Sequence, residues 1–213
     1  MKTIIFLFSI LLSVTCIGQQ TISVNSEGKC LRDFYIKEDV ANKWLSGHHI
    51  NWETGESDNP NATKGIKTHC SAFVAAACKQ LNIYILRPPQ HKQELLANAQ
   101  FDWLNSEDAI QQGWKKIIDN PLIEAERLAN EGYVVIASTK NSNSHKPGHI
   151  ALIIPKETSN KELTEKGPFL IQAAQTNGYD IYLRNGFKSH IKDWNQTSEV
   201  IEFHWYKTKV FCR

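Results

Sequence analysis

The sequence predicts an α+β domain, in which helices come first and an antiparallel β-sheet follows. Apolar residues recur at helical spacing up to residue 130, whereas β-branched runs separated by turn-rich loops dominate after residue 132. The two patterns meet at one boundary instead of alternating along the chain. Such segregation is typical of the α+β class.

The predicted helices lie in the N-terminal part of the chain. One begins at Cys70, with Thr68 placed to cap it, and ends before the Arg87-Pro88-Pro89 sequence. Gly47 and Gly132 follow two other segments and are suited to end them. The predicted helical segments are residues 37–46, the segment that starts at Cys70, and residues 90–99, 106–119 and 121–130.

Five strands are predicted in the C-terminal part, because β-branched and aromatic residues form short runs there. The loop at residues 140–148 contains serine, asparagine, proline and glycine, which favour a turn between the first two strands. The predicted strands are residues 133–139, 149–155, 169–175, 180–184 and 200–207.

Residues 1–18 have the pattern of a secretory signal peptide: a basic residue, a short apolar run, and small residues before the cleavage point. The apolar run is shorter than the roughly 20 residues that a transmembrane helix needs. We expect cleavage after Gly18, a single domain at residues 19–213, and export to the periplasm or the cell exterior. Lipidation of Cys16 is the alternative, but its flanking residues fit a lipobox poorly.

The charge balance gives no reason to expect a nucleic-acid partner. The full chain has a formal net charge of +2, and removal of residues 1–18 takes away one lysine and no acidic residue, which leaves +1. No later stretch is long and apolar enough to span a membrane. We expect a monomer that uses no cofactor.

Four cysteines remain after the leader is removed. Cys70 and Cys78 lie eight residues apart on one predicted helix, or about 12 Å, beyond the roughly 7 Å Cα separation that a disulfide allows. Cys30 and Cys212 lie near the two ends of the chain, which are often close in space. A Cys30–Cys212 disulfide is therefore plausible, although spacing alone does not fix the connectivity.

Cys70 and His149 are candidates for a nucleophile and its base. Free N–H groups at the start of a helix stabilise a thiolate, and His149 follows Pro147-Gly148 at the start of a predicted strand. Each residue alone also has a plain structural explanation, because Cys70 shares an apolar helical stripe with Phe73 and a strand histidine can simply be hydrogen-bonded. Their combination in an exported chain favours a cysteine hydrolase.

These motifs resemble a known group of enzymes. The sequences HCSAFVAAACKQL and PGHIALIIP, with EGYVVIAS before the latter, resemble the NlpC/P60 and CHAP group of papain-like peptidoglycan hydrolases over residues 66–183. The resemblance implies a papain-like NlpC/P60-type fold with helices packed on an antiparallel sheet. It also implies cleavage of amide bonds in peptidoglycan stem peptides, with Cys70 as the nucleophile and His149 as the base.

The resemblance further implies a polar third residue on the strand after the histidine strand, to orient the base. If the hairpin closes through residues 155–168, Gln172 lies diagonally across from His149 on the same face, and we expect it to be the third residue. A one-residue shift would bring Gln175 or Asn177 to that face instead, and both stay open.

Other functions are less well supported by the sequence. A zinc hydrolase would need a ligand motif such as HExxH, and a serine hydrolase of the α/β type would need G-x-S-x-G; neither occurs. Two alternatives stay open: a non-catalytic envelope-binding protein in which Cys70 is disulfide-bonded, and a cysteine peptidase acting on protein. The sequence does not indicate which peptidoglycan bond is cut, or whether the cell's own wall is the target. We expect His69 to be an exposed loop residue.

Overall fold

The computed structural model of the protein describes residues 21–59, 61 and 68–209, so the predicted leader lies outside the described residues. The longer helices are α1 (Ser26–Lys37), α2 (Cys70–Gln80), α3 (Leu96–Leu104), α4 (Glu107–Gln112), α5 (Pro121–Asn130) and α6 (Asn160–Lys166), and two single turns are α7 (Leu183–Gly186) and α8 (Thr197–Val200). The strands are β1 (His49–Ile50), β2 (Ser57–Asn59), β3 (Trp114–Lys116), β4 (Tyr133–Thr139), β5 (His149–Ile153), β6 (Phe169–Gln172), β7 (Gly178–Tyr182) and β8 (Glu202–Lys209).

The main sheet has six antiparallel strands in the order β3-β8-β4-β5-β6-β7. The α+β class is therefore confirmed. In the hairpin of β5 and β6, Leu152 pairs with Ile171 and Ile153 with Leu170, which is the predicted register. The C-terminal strand β8 does not lie at an edge, because it inserts between β3 and β4.

Helices cover both faces of this sheet. Along β4, Val134 and Ile136 point into an apolar cluster with α1, α2 and α3, whereas Val135 and Ala137 point into a second cluster with α5 and the turn after β7. Alternate residues of a strand face opposite sides, so a strand that is buried on both sides is largely apolar, and in β4 the buried polar residues Ser138 and Thr139 come only at its end. This explains why the 133–139 run was readily predicted as a strand.

The first predicted helix is wrong. Helix α1 ends at Lys37, and residues 38–46 form turns and bends. Asp39 and Trp44 have left-handed backbone conformations, with φ of 54° and 50°, which an α-helix cannot contain. The helix instead begins after Asn25, whose side chain accepts a hydrogen bond from the Gly28 amide at 2.8 Å.

Two further predicted helices have different bounds. The helix predicted at residues 90–99 begins only at Leu96, because Leu95 is left-handed with φ of 54°. The helix predicted at residues 106–119 ends at Gln112, because Gly113 adopts φ of 106° and closes it. The chain then continues as strand β3.

The cysteines divide into two kinds. Cys30 is disulfide-bonded, and its predicted partner Cys212 lies outside the described residues. Cys70 and Cys78 are free and buried, so the Cys70 disulfide that the binding-protein alternative assumed is wrong. In the part of the chain that the structure describes, no helix has the length and apolar character to cross a membrane.

His204 is a buried histidine on β8. It is 1% exposed, and neither ring nitrogen has a hydrogen-bond partner among the described residues. Burial lowers its pKa from 6.5 to about 4. The folded protein therefore keeps this ring neutral at pH values at which the unfolded chain binds a proton.

We expect this histidine to make the protein less stable in acid. As the pH falls from 6.5 towards 4, the unfolded chain takes up the proton first, so the free energy of unfolding decreases by about 1.4 kcal/mol per pH unit from this group. His204→Phe should remove that dependence. Urea unfolding across this pH range measures it, with the exposed histidine variant His145→Phe as the control.

The comparison of the two variants isolates His204. The pKa of Glu126 is raised by burial to about 7, so protonation of this carboxyl makes the free energy of unfolding rise as the pH falls. It does so equally in both variants and cancels in the comparison. Equal pH slopes in His204→Phe and His145→Phe would contradict the expectation.

Candidate active site

Cys70 is the first residue of α2 and is 4% exposed. The backbone amides of Cys70 itself, Ser71 and Ile150 of strand β5 favour the thiolate form of its side chain. Burial raises the pKa of the thiol, and these amides act in the opposite direction. The resting thiol is therefore protonated, and donors that would stabilise a thiolate already surround it.

The start of α2 differs from the prediction. The helix begins after His69, not after a Thr68 cap, and His69 makes no side-chain cap hydrogen bond. His69 is 5% exposed instead of lying in an open loop, and its Nε2 donates to the carbonyl oxygen of His48 at 2.8 Å. This bond fixes the residue before the thiol against the preceding loop.

His149 is the first residue of β5 and is 6% exposed. The residue before it must be glycine, because a Cβ on Gly148 would lie 2.1 Å from the carbonyl oxygen of Thr139 and 2.7 Å from Oδ1 of Asn98. The absence of a side chain lets the chain turn tightly onto β4. Helix α2 packs against β5, so Cys70 and His149 are the first residues of two elements that are in contact.

Gln172 ends strand β6 and is hydrogen-bonded to His149. Its Oε1 lies 2.9 Å from Nε2 of His149, while its Nε2 donates to the carbonyl oxygen of Thr176 at 3.4 Å. Because Oε1 of the amide can only accept, Nε2 of the imidazole must carry the hydrogen and donate the hydrogen bond. Its Nδ1 then carries the free lone pair that a general base needs.

The two alternative third residues have other surroundings. Gln175 is exposed. Asn177 accepts a hydrogen bond from the Ala174 amide at 2.9 Å, and its Nδ2 donates to the carbonyl oxygens of Val40, Lys43 and Trp44. Asn177 therefore holds the 40–44 segment in place, whereas Gln172 contacts the histidine.

Two aromatic side chains that sequence reasoning missed enclose His149. The ring of Phe187 meets it edge to face, with centroids 4.6 Å apart, and the ring of His190 stacks on it in parallel at 5.8 Å. Both residues follow the short α7 turn. Nothing in the pattern of residues 187–190 distinguishes them from an ordinary surface turn, so the sequence carried no signal for them.

The electrostatics favour a neutral pair at rest. Burial lowers the pKa of His149 from 6.5 to about 4. The hydrogen bond that His149 donates to Gln172 acts against this shift, and the neighbouring His190 adds to it. Both groups are therefore neutral at rest, and a neutral imidazole can take the proton of a thiol once a substrate needs the thiolate. Among the residues that the structure describes, no group of three or more His, Cys, Asp or Glu side chains is placed to hold a metal ion.

A separate cavity of about 290 Å³ lies away from these residues, between the start of α5, Thr164 of α6 and Trp194. Cys70, His149 and Gln172 do not line it. The cavity is therefore distinct from the candidate active site.

Gly186 lies close to Gln172, the candidate third residue. A Cβ at this position would lie 2.8 Å from Oε1 of Gln172 and 2.7 Å from Cδ1 of Leu170. Gly186 is helical, so its backbone does not itself require glycine. A side chain at position 186 does not fit because the Gln172 amide already fills that space.

We expect Gly186→Ala to lower kcat/KM by about tenfold or more, because the new methyl group displaces the Gln172 amide and misorients His149. Gly178→Ala is the matched control, since its Cβ would meet only Cδ1 of Ile181 at an ordinary 3.5 Å. Rates of substrate hydrolysis for the two variants provide the measurement. Equal rates would show that the Gln172 amide is free to move without consequence.

Neither a model of a known protein family nor a curated protein matches this chain.

Proposed function

We propose that this protein is an exported cysteine hydrolase that cleaves amide bonds of peptidoglycan. The observation that supports the proposal best is the arrangement of three side chains. A free thiol lies at the first residue of α2 against the start of β5, and the histidine at that strand start is oriented by a neutral amide at 2.9 Å. Acyl-transfer enzymes need a nucleophile, a base and a group that orients the base, and these three side chains supply one of each.

The proposed reaction begins with attack of Cys70 Sγ on a carbonyl carbon. The thiol proton passes to Nδ1 of His149, and an S–C bond forms. The Cys70 amide has no partner within its helix and lies beside the thiol, so it is placed to donate to the developing oxyanion. The C–N bond then breaks, and the amine leaves with the proton from His149.

Hydrolysis completes the cycle. A water molecule gives a proton to His149 and attacks the thioester carbonyl. The S–C bond breaks, His149 returns that proton to the Cys70 sulfur, and the acid product leaves. Oε1 of Gln172 accepts the hydrogen bond from Nε2–H of His149 throughout, so that Nδ1 remains the nitrogen available to the substrate. A neutral amide orients the imidazolium without neutralising its charge.

The substrate class rests on the resemblance to the NlpC/P60 and CHAP group, including its papain-like fold. The buried thiol at a helix start and the Gly-His strand of an antiparallel sheet support that resemblance. The predicted leader is consistent with a target outside the cytoplasm.

Mass spectrometry of the soluble products from purified peptidoglycan tests the proposal. The mature protein should release stem peptides if it is an amidase, or shortened stems if it is an endopeptidase, and Cys70→Ala should release neither. Identical products from the two proteins would exclude the thiol mechanism. Digestion of a protein substrate but not of peptidoglycan would indicate a cysteine peptidase instead.

A further inference from the structure

His190 forms the outer cover of the candidate base. Its ring is half-buried, stacks on His149 with planes only 4° apart, and lies 5.8 Å away between centroids. His149 itself is 6% exposed. His190 therefore contributes to the shielding of this ring from solvent.

The turn that carries His190 is fixed to the core. The His190 amide donates to the carbonyl oxygen of Phe187 at 2.8 Å, and the Ile191 amide donates to the same oxygen at 3.1 Å. Phe187 is fully buried and contacts the edge of the His149 ring. One turn thus places two rings against two sides of the base.

The charge of His190 decides how easily His149 can become positive. The side chains that meet the His149 ring are the Gln172 amide, Phe187 and His190, with the Cys70 thiol on the adjoining helix. Among these described neighbours, His190 alone can carry a positive charge. Two like charges at this distance, in a site of effective dielectric about 20, disfavour each other by roughly a hundredfold.

His190 is half-buried, whereas His149 is only 6% exposed. Burial is the only cause that lowers the pKa of His190. No ionic partner among the described residues contributes to that shift, and Lys188 and Lys192 on the same turn are exposed. His190 therefore takes up a proton from solvent and not from a neighbouring side chain.

We propose that His190 is a positioning residue that also switches the pair off in acid: neutral, it supports the His149 ring, and protonated, it opposes the imidazolium that His149 must form. The inference rests on the proposed function, because it assigns His149 as the base for Cys70. His190 acts only through the His149 ring on which it stacks and is not part of the predicted Cys–His–Gln triad.

Alkylation of Cys70 by iodoacetamide as a function of pH tests this role without any substrate. The labelled position is identified by peptide mass spectrometry, which separates Cys70 from the buried Cys78. His190→Phe keeps an aromatic ring and removes the charge, His190→Ala removes both, and His145→Phe is an exposed control. Peptidoglycan hydrolysis is measured in parallel.

In His190→Phe we expect the wild-type alkylation rate at neutral pH and a rate about tenfold or more above wild type in acid. His190→Ala should lose about tenfold in peptidoglycan hydrolysis at neutral pH, because the base is no longer held in position, and the phenylalanine variant should retain that activity. His145→Phe should behave as wild type in both assays.

The outcomes separate the two proposals. If Cys70 is alkylated in the wild type but His190→Phe shows the wild-type pH profile, the role of His190 is wrong and the proposed function stands. A uniform loss at all pH values in both His190 variants would mean a purely structural role. If Cys70 is not alkylated in the wild type and peptidoglycan is not hydrolysed, the proposed function itself fails.

Discussion

Replacing Cys70 with alanine is expected to reduce peptidoglycan hydrolysis by at least about a thousandfold, because the bond-forming sulfur is gone. The fold should survive. Cys70 is buried, and loss of one small group there costs about 1 kcal/mol of unfolding free energy. Product release and denaturant unfolding, measured on the same preparation, provide both numbers.

Cys78→Ala is the matched control for this experiment. Cys78 lies on the same helix, is fully buried, and has a pKa raised by burial to about 12, so it is unsuited to act as a nucleophile. The control should lose similar stability and keep its activity. Loss of activity in both variants would point to damage to α2 and not to removal of the nucleophile.

Replacing His149 with alanine is expected to lower kcat/KM by a factor of about 10² to 10⁴, the usual contribution of a positioned general base. The amide of Gln172 would lose its buried partner, which should also cost about 1 to 3 kcal/mol of stability. Steady-state hydrolysis and thermal unfolding measure the two effects separately.

His145→Ala serves as the control for His149→Ala, because this exposed histidine lies in the loop that leads to β5. A His149→Ala protein within a few-fold of wild type, alongside an inactive Cys70→Ala protein, would show that another group takes the thiol proton.

The parts of the fold that the sequence predicted are those set by local chemistry. The strand at residues 133–139 coincides with β4, because burial on both faces demands a continuous apolar run. The register of β5 and β6 followed from where the hairpin turns, and it placed Gln172 beside His149.

The parts that were not predictable depend on contacts distant in sequence. Trp44 adopts a left-handed conformation and packs on Gly55, where any Cβ would lie 2.3 Å from its ring. That contact ends the helical pattern at residues 37–46 for a reason absent from the segment itself. His190 meets His149 only because β7 and α7 return the chain to the start of β5.

The position of β8 has a consequence for how this domain could be transplanted. The motif resemblance covers residues 66–183, yet β8 lies inside the sheet, between β3 and β4. On the other flank, Trp44 packs against Phe73 at 5.2 Å, and Asn177 holds its carbonyl group. Both flanks are thus interior parts of the fold. A chimaera cut at the limits of the motifs would remove a central strand and one wall of the core, so a functional graft must carry both.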